Sequence, residues 1–349
     1  RWLGFISGLV VFIVSITGCL FVFQDDIQDA LYSYRKVEVQ HSAYIAPSQL
    51  KQIALQRHPG SQAGITAYYG KNRPAVVMLT APKLGTRYIY LNPYNGRFLY
   101  DQDITRNFFI IVEYIHLYLL LPADIGAVVV GSSVVIFVIL MLTGIVLWWP
   151  KRKTDRKRSF TIKWKGRWRR VNYDLHNVLG FYVCSIALLL ALSGLAIAFN
   201  WARDGIYKAA NLGKTYPFEK SAPQSAPLNK LRDASIHPAD RAFNTAIKRS
   251  PQAQMFFIIE GDGKAGHTTS VTAYYRSMHF YKSDYYTFDQ HSGRLLKFLP
   301  QRKKSPGMKM NDANYDIHVG QILGFSGKII AFLGSLICAS LPVTGFVVW

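Results

Sequence analysis

The sequence predicts an α-helical membrane protein, with four transmembrane helices arising from a tandem duplication and two small α+β domains outside the bilayer. Three observations predict it. Four apolar stretches, 2–23, 126–149, 175–199 and 327–349, are each long enough to cross a hydrocarbon core of about 30 Å. The same residue pair recurs in all four, as Thr17-Gly18, Thr143-Gly144, Ser193-Gly194 and Thr344-Gly345. The spacing is duplicated too: Thr17 to Ser193 and Gly4 to Gly180 are both 176 residues, while Thr143 to Thr344 is 201 and His116 to His318 is 202. Spans one and two therefore match spans three and four.

In order, residues 1–23 form the first span and 24–115 the first external domain. Within that domain Pro47-Ser48 opens a helical pattern that ends at His58-Pro59-Gly60. A strand-turn-strand pattern follows, from Tyr88-Ile89-Tyr90-Leu91 through the Asn92-Pro93-Tyr94-Asn95-Gly96 turn into Arg97-Phe98-Leu99. Residues 116–149 hold an interfacial segment and the second span, and 150–174 a basic loop. The third span is 175–200. The second external domain, 201–317, repeats the earlier pattern: a helix from Pro238-Ala239 to Ser250-Pro251, then Tyr285-Tyr286-Thr287-Phe288 turning between Asp289 and Gly293 into Arg294-Leu295-Leu296. Residues 318–349 close the chain with an interfacial segment and the fourth span.

Composition agrees. At 50% hydrophobic, with 21 Tyr, 21 Phe and 7 Trp in 349 residues, the chain is too apolar and aromatic for an ordinary soluble enzyme. Tyr and Trp at the membrane interfaces account for the excess. The net charge of +21 is uneven, since residues 151–173 carry 11 basic residues and one acid, Asp155. By the positive-inside rule that loop is cytoplasmic, which puts both chain ends on the same side and the two long segments outside. The cluster is an orientation signal near anionic lipid, not a nucleic-acid surface. Cys19, Cys184 and Cys338 all lie in apolar spans, so none can staple the external domains. No cleavable signal peptide is visible.

Three histidines sit where the spans should meet the membrane surfaces. His176 opens the third span four residues before Gly180, and the matching place in the first span falls one residue before Arg1. The repeat predicts histidine there. His116 and His318 belong to the opposite face, each in a short apolar segment separated from its span by a break, Leu121-Pro122-Ala123-Asp124 in one copy and Gly324-Phe325-Ser326-Gly327 in the other. Imidazole pairs from facing helices, with no Cys or carboxylate beside them, suit a six-coordinate haem and favour electron transfer over oxygen binding. Zinc would recruit a third and fourth ligand, and no CxxC or HExxH spacing is present. The pattern therefore predicts two haem b groups, with Gly144 and Gly345 level with the cytoplasmic one and Gly18 and Gly194 level with the outer one. Glycine would let a macrocycle or a helix approach closely.

Arg1-Trp2-Leu3-Gly4 with Thr17-Gly18, Leu175-His176 with Gly180 and Ser193-Gly194, Ile115-His116 and Ile317-His318, and Thr143-Gly144 running into Leu147-Trp148-Trp149 together resemble the PepSY-associated transmembrane helix proteins. These are iron-regulated inner-membrane proteins that include siderophore-iron reductases. The resemblance covers nearly the whole chain. It implies a haem-containing reductase in the bacterial inner membrane with PepSY-like domains in the periplasm, taking electrons from a donor protein or quinol and delivering them to a ferric-siderophore or another iron chelate. Two haems would divide the roughly 30 Å crossing into shorter steps. No Rossmann fingerprint or flavin site is apparent.

For docking an anionic chelate, the sequence offers Arg302-Lys303-Lys304, just upstream of His318, in a segment with 18 basic and 10 acidic residues. His279 and His291 lie in or near its strands and are further candidates. Met308 and Met310 are weak copper candidates, and His41, His58, His237 and His267 read as loop or helix-boundary residues. Two other classes stay open: a membrane-anchored binding or regulatory module without redox activity, and a permease, against which the scarcity of charge within the spans argues.

Overall fold

Long runs of Leu, Ile, Val and Phe without charge become helices, because a helix satisfies every backbone N–H and C=O internally where no water can. The computed structural model describes residues 2–82, 85–227 and 236–348. Arg1 and Trp349, assigned above to the first and fourth spans, lie outside the described residues. Among those described, four helices are long and apolar enough to cross a membrane: Trp2–Val22, Ala123–Trp148, Trp168–Ala198 and Gln321–Val348. The chain divides into two compact units.

The first unit comprises Arg1–Asp25, Phe108–Ile206 and Asn314–Trp349 and holds all four spans. They form a closed ring in which the first span packs on the second and fourth, and the third does the same. Small residues make the close approaches. A Cβ on Gly8 would stand 3.3 Å from Pro342, and one on Gly334 only 2.7 Å from Ile186. Apolar side chains such as Leu9 and Val146 point outward at 67% and 76% exposure, as lipid-facing positions should.

Two details depart from the sequence reading. The third span starts earlier, at Trp168, and continues through a π-helical turn, Leu175–Leu179, into the helix Gly180–Ala198. The break before the fourth span also comes earlier: the helix Pro306–His318 ends, Gly320 turns at φ 72°, and Gln321–Leu323 leads to Gly324 at φ 66°. Gly320 has to be glycine twice over, since a Cβ there would lie 2.2 Å from the carbonyl oxygen of Gly327. The basic loop is knit together by Asp174, a buried carboxylate that accepts from the Lys163 backbone N–H (3.2 Å) and Arg170 Nε (3.0 Å).

The second unit, Asp26–Asn107 with Tyr207–Ala313, corrects the expectation of two small domains. Its strands are β1 (Gln62–Tyr68), β2 (Ala75–Ala81), β3 (Gly85–Leu91), β4 (Phe98–Asp103), β5 (Met255–Ile259), β6 (Thr268–Arg276), β7 (His279–Asp289) and β8 (Leu295–Leu299). They form one antiparallel sheet in the order β4-β3-β2-β1-β5-β6-β7-β8. The seam is β1–β5, where Tyr68 pairs with Phe256 and Ile65 with Ile259. Each meander alone would leave an apolar edge strand with unpaired backbone groups, and pairing removes both edges.

The two halves of this sheet are built alike. Helices Pro47–Arg57 and Pro238–Arg249 both begin with proline, whose missing N–H costs nothing in a first turn. Leu50 and Ala54 from the first, and Ala242, Phe243 and Ala246 from the second, share one buried core with Tyr68, Val77, Ile89, Ile258, Val271 and Tyr286. Phe243 stacks on Tyr68 with ring centres 4.4 Å apart. Ser48 joins the helices by donating through its N–H (2.9 Å) and hydroxyl (2.6 Å) to the Asp240 carboxylate. The β3–β4 and β7–β8 turns also match: Asn92 and Asp289 each accept a bond from a glycine in the left-handed region, Gly96 (2.9 Å) and Gly293 (2.8 Å), and each side chain accepts further backbone N–H groups of its own turn.

Candidate functional site

The candidate site lies in the membrane-spanning unit and is built from helix ends. His116 lies in the last turn of Phe108–Tyr118, an apolar helix closed by Leu119 and Leu120 at positive φ. His318 is the last residue of Pro306–His318, a mostly polar helix and not the apolar segment expected from sequence. The two imidazoles approach edge-on, with ring centres 6.0 Å apart and planes at 65°.

Each ring is seated on a different span by the recurring pair. His116 Nδ1 lies 3.1 Å from the Thr17 hydroxyl, and a Cβ on Gly18 would be 3.4 Å from its Cε1. His318 Nδ1 lies 3.1 Å from the Ser193 hydroxyl, and a Cβ on Gly194 would be 2.9 Å from its Cε1. His176 repeats the arrangement: Nδ1 is 3.0 Å from the Thr344 hydroxyl, and a Cβ on Gly345 would be 3.0 Å from Cε1. Gly18, Gly194 and Gly345 each thus meet the ring of a different histidine. Thr143-Gly144 is different. Gly144 has open space beside it, and the Thr143 hydroxyl bonds only back to Ile139 and Leu140 of its own helix.

That open space belongs to a cavity of about 910 Å³, lined by Gly4, Phe5, Phe137, Gly144, Trp148, His176, Gly180, Phe181 and Gly345 among others. Gly4 and Gly180, the positions related by the 176-residue spacing, both line it. The walls are mostly apolar, and His176 is the one imidazole among the described residues that line it.

The histidine pair has the spacing of two ligands sharing one metal. Roughly 2 Å for each metal–imidazole bond, plus about 1 Å from nitrogen to ring centre, brings two rings to about 6 Å. With both Nδ1 atoms turned to hydroxyls, the remaining Nε2 atoms are the ones available to a metal. No group of three or more His, Cys, Asp or Glu that could hold a metal ion occurs among the described residues. The three cysteines are buried and free.

A family model, the PepSY-associated TM region, matches residues 1–349, the whole chain. The chain belongs to that family. No curated protein matches it.

In this PepSY-associated TM region protein the proposed docking cluster needs correcting. Arg302 and Lys303 are exposed, but Lys304 is buried: its Nζ donates to Asp312 (2.6 Å) and Ser283 (3.0 Å) and sits 3.5 Å over the Tyr285 ring. Burial pushes the Lys304 ammonium below the usual lysine range, and Asp312 beside it pulls the other way. It is therefore an internal tie and cannot meet a ligand in solvent. Lys304→Met is expected to destabilise the protein by about 3–5 kcal/mol, because Asp312 would be left buried without its cation. Arg302→Ala with Lys303→Ala should stay within about 0.5 kcal/mol per site. Thermal unfolding of the two variants separates the roles; equal melting temperatures would refute the distinction.

The remaining candidates are scattered. His279 is half-buried with Nδ1 2.9 Å from the Ser277 carbonyl, and His291 sits in the β7–β8 turn. Met308 is half-buried, and Met310 is exposed on the helix surface. Sequence reasoning missed two features of the histidine sites. His176 lies inside the π-helical turn, a distortion often found at functional positions. The hydroxyl in three of the four pairs, read above only as a companion to its glycine, makes a polar contact to a ring. A hydroxyl residue before every one of the four glycines was the available signal.

Proposed function

We propose that this chain is a dihaem electron-transfer protein of the bacterial inner membrane, carrying electrons from the cytoplasmic side to a ferric-siderophore in the periplasm. The carrying observation is the close pair, His116 and His318, at 6.0 Å with both Nδ1 atoms engaged. His116 and His318 would hold the outer haem, and His176 would hold the inner one in the apolar cavity. Bound there, haem iron supplies one-electron chemistry at a potential set by burial and ligand hydrogen bonds.

The chain's own contribution is position and exclusion of water. Apolar walls around His176 and tight seats at Gly18, Gly194 and Gly345 fix each imidazole before any ligand arrives. No acid or base is needed, because reduction of the substrate from Fe(III) to Fe(II) is itself what weakens its hold on hard oxygen ligands. The basic loop supports a cytoplasmic placement for the His176 end. The matched helices, meanders and turns of the sheet, with the doubled spacing of the spans, support a tandem duplication whose two soluble halves are PepSY-like.

An absorption spectrum of the purified protein tests the reading. Bands of a six-coordinate haem that sharpen on reduction and reoxidise with a ferric chelate are expected. A colourless protein that stays colourless after haem is supplied would leave only a membrane-anchored binding module.

A further inference from the structure

We propose that Thr17, Ser193 and Thr344 are positioning residues that fix the proton of each iron-binding histidine on Nδ1 and raise the electron donation of the opposite nitrogen. This rests on the haem reading above and adds to it which side chains set the potentials.

The argument is a count of protons. A hydroxyl has one to donate, and in all three residues it is directed back along the residue's own helix. Thr17 Oγ1 lies 2.8 Å from the Ile13 carbonyl, Ser193 Oγ 2.7 Å from that of Leu189, and Thr344 Oγ1 2.8 Å from that of Ser340. Each hydroxyl oxygen therefore has only lone pairs to offer the nearby imidazole. The bonds at 3.1, 3.1 and 3.0 Å to His116, His318 and His176 consequently require the ring to supply the proton from Nδ1.

A second acceptor agrees. The carbonyl three residues before Ser193 also receives the ring, Leu190 taking a bond from His318 Nδ1 at 2.9 Å, and the Val14 and Leu341 backbones, three residues before Thr17 and Thr344, are hydrogen-bonded to His116 and His176. Neutral imidazole carries one ring N–H, so a proton held on Nδ1 leaves Nε2 as a bare lone pair, the form that ligates iron. The glycine after each hydroxyl residue completes the seat by leaving room for Cε1. One three-part device, carbonyl, hydroxyl and glycine, thus recurs on three separate spans.

A bond donated from Nδ1 makes the ligand more basic and stabilises the oxidised metal. Removing the hydroxyl should therefore raise the potential. The test uses the full chain in lipid nanodiscs, with Thr17→Val, Ser193→Ala and Thr344→Val, and Thr17→Ser as the conservative control. Haem content, redox titration and low-spin electron paramagnetic resonance are measured on each. Thr17→Val and Ser193→Ala are expected to shift the outer haem upward and leave the inner one in place, Thr344→Val to do the reverse, and Thr17→Ser to behave as wild type. Where Thr17→Val loses haem, retention in Thr17→Ser supports the proposal, and loss in both overturns it. Unchanged potentials in haem-replete variants also overturn it and leave the haem reading intact. Wild-type protein without haem overturns that reading, and this proposal falls with it.

Discussion

His318→Ala protein is expected to keep one of two haems, so that its haem content falls to about half and the outer low-spin signal disappears. The reason is geometric. His318 is one of two rings that meet at 6.0 Å, and alanine would leave one side of the metal without a ligand where, among the described residues, no group of three His, Cys, Asp or Glu is gathered. His116→Ala should give the same spectrum. His176→Ala should remove the other haem and spare this one, because its ring seats on Thr344 and Gly345 and lines a separate cavity. Retention of both haems in His318→Ala and in His176→Ala would sink the ligand assignment.

Gly194→Leu is expected to expel the outer haem without touching any ligand atom. A Cβ at this position would sit 2.9 Å from His318 Cε1, closer than real side chains pack, so the ring must leave its seat on Ser193. Overpacking of this kind costs about 1–3 kcal/mol, enough to move a helix-end histidine even where the fold survives. Gly345→Leu should do the same to the inner site, where the corresponding distance is 3.0 Å. Gly18→Leu should be milder at 3.4 Å, and Gly205→Ala, with nothing within 4 Å, serves as a silent control. The two haems distinguished by redox titration provide the readout. A Gly194→Leu protein with an unaltered outer haem would show that the glycine merely eases helix packing.

Much of this was legible in advance because its signals are local. An apolar run without charge has one stable form in lipid, so the four spans emerged to within seven residues at each end. The turns at Asn92 and Asp289 could be read from residue type alone. What escaped depends on partners distant in the chain. Nothing in Gln62–Tyr68 or Met255–Ile259 announces that each completes the other's sheet, since both read as ordinary strands at any register. Lys304 sits in a run of three cations and looks solvated. Only Asp312, two turns further along, and Tyr285 from β7 reveal that it is internal. The break before the fourth span was placed at Gly324, whereas Gly320 makes the first sharp turn, and two glycines four residues apart do not say which bends first. The seats of the histidines were half visible: composition marked the glycines, but the role of the hydroxyls needed the rings in place.

The seam between β1 and β5 acts as a counter of membrane crossings. Tyr68 can lie opposite Phe256 only if both strands emerge on one side of the lipid, so the intervening polypeptide must traverse it an even number of times. The helices Ala123–Trp148 and Trp168–Ala198 are long and apolar enough to supply two traverses. An odd number of crossings thus becomes self-reporting: a chain in which just one of these two helices stays out of the lipid has half a sheet with nothing to zip against, and quality-control proteases would find its bare strand edge.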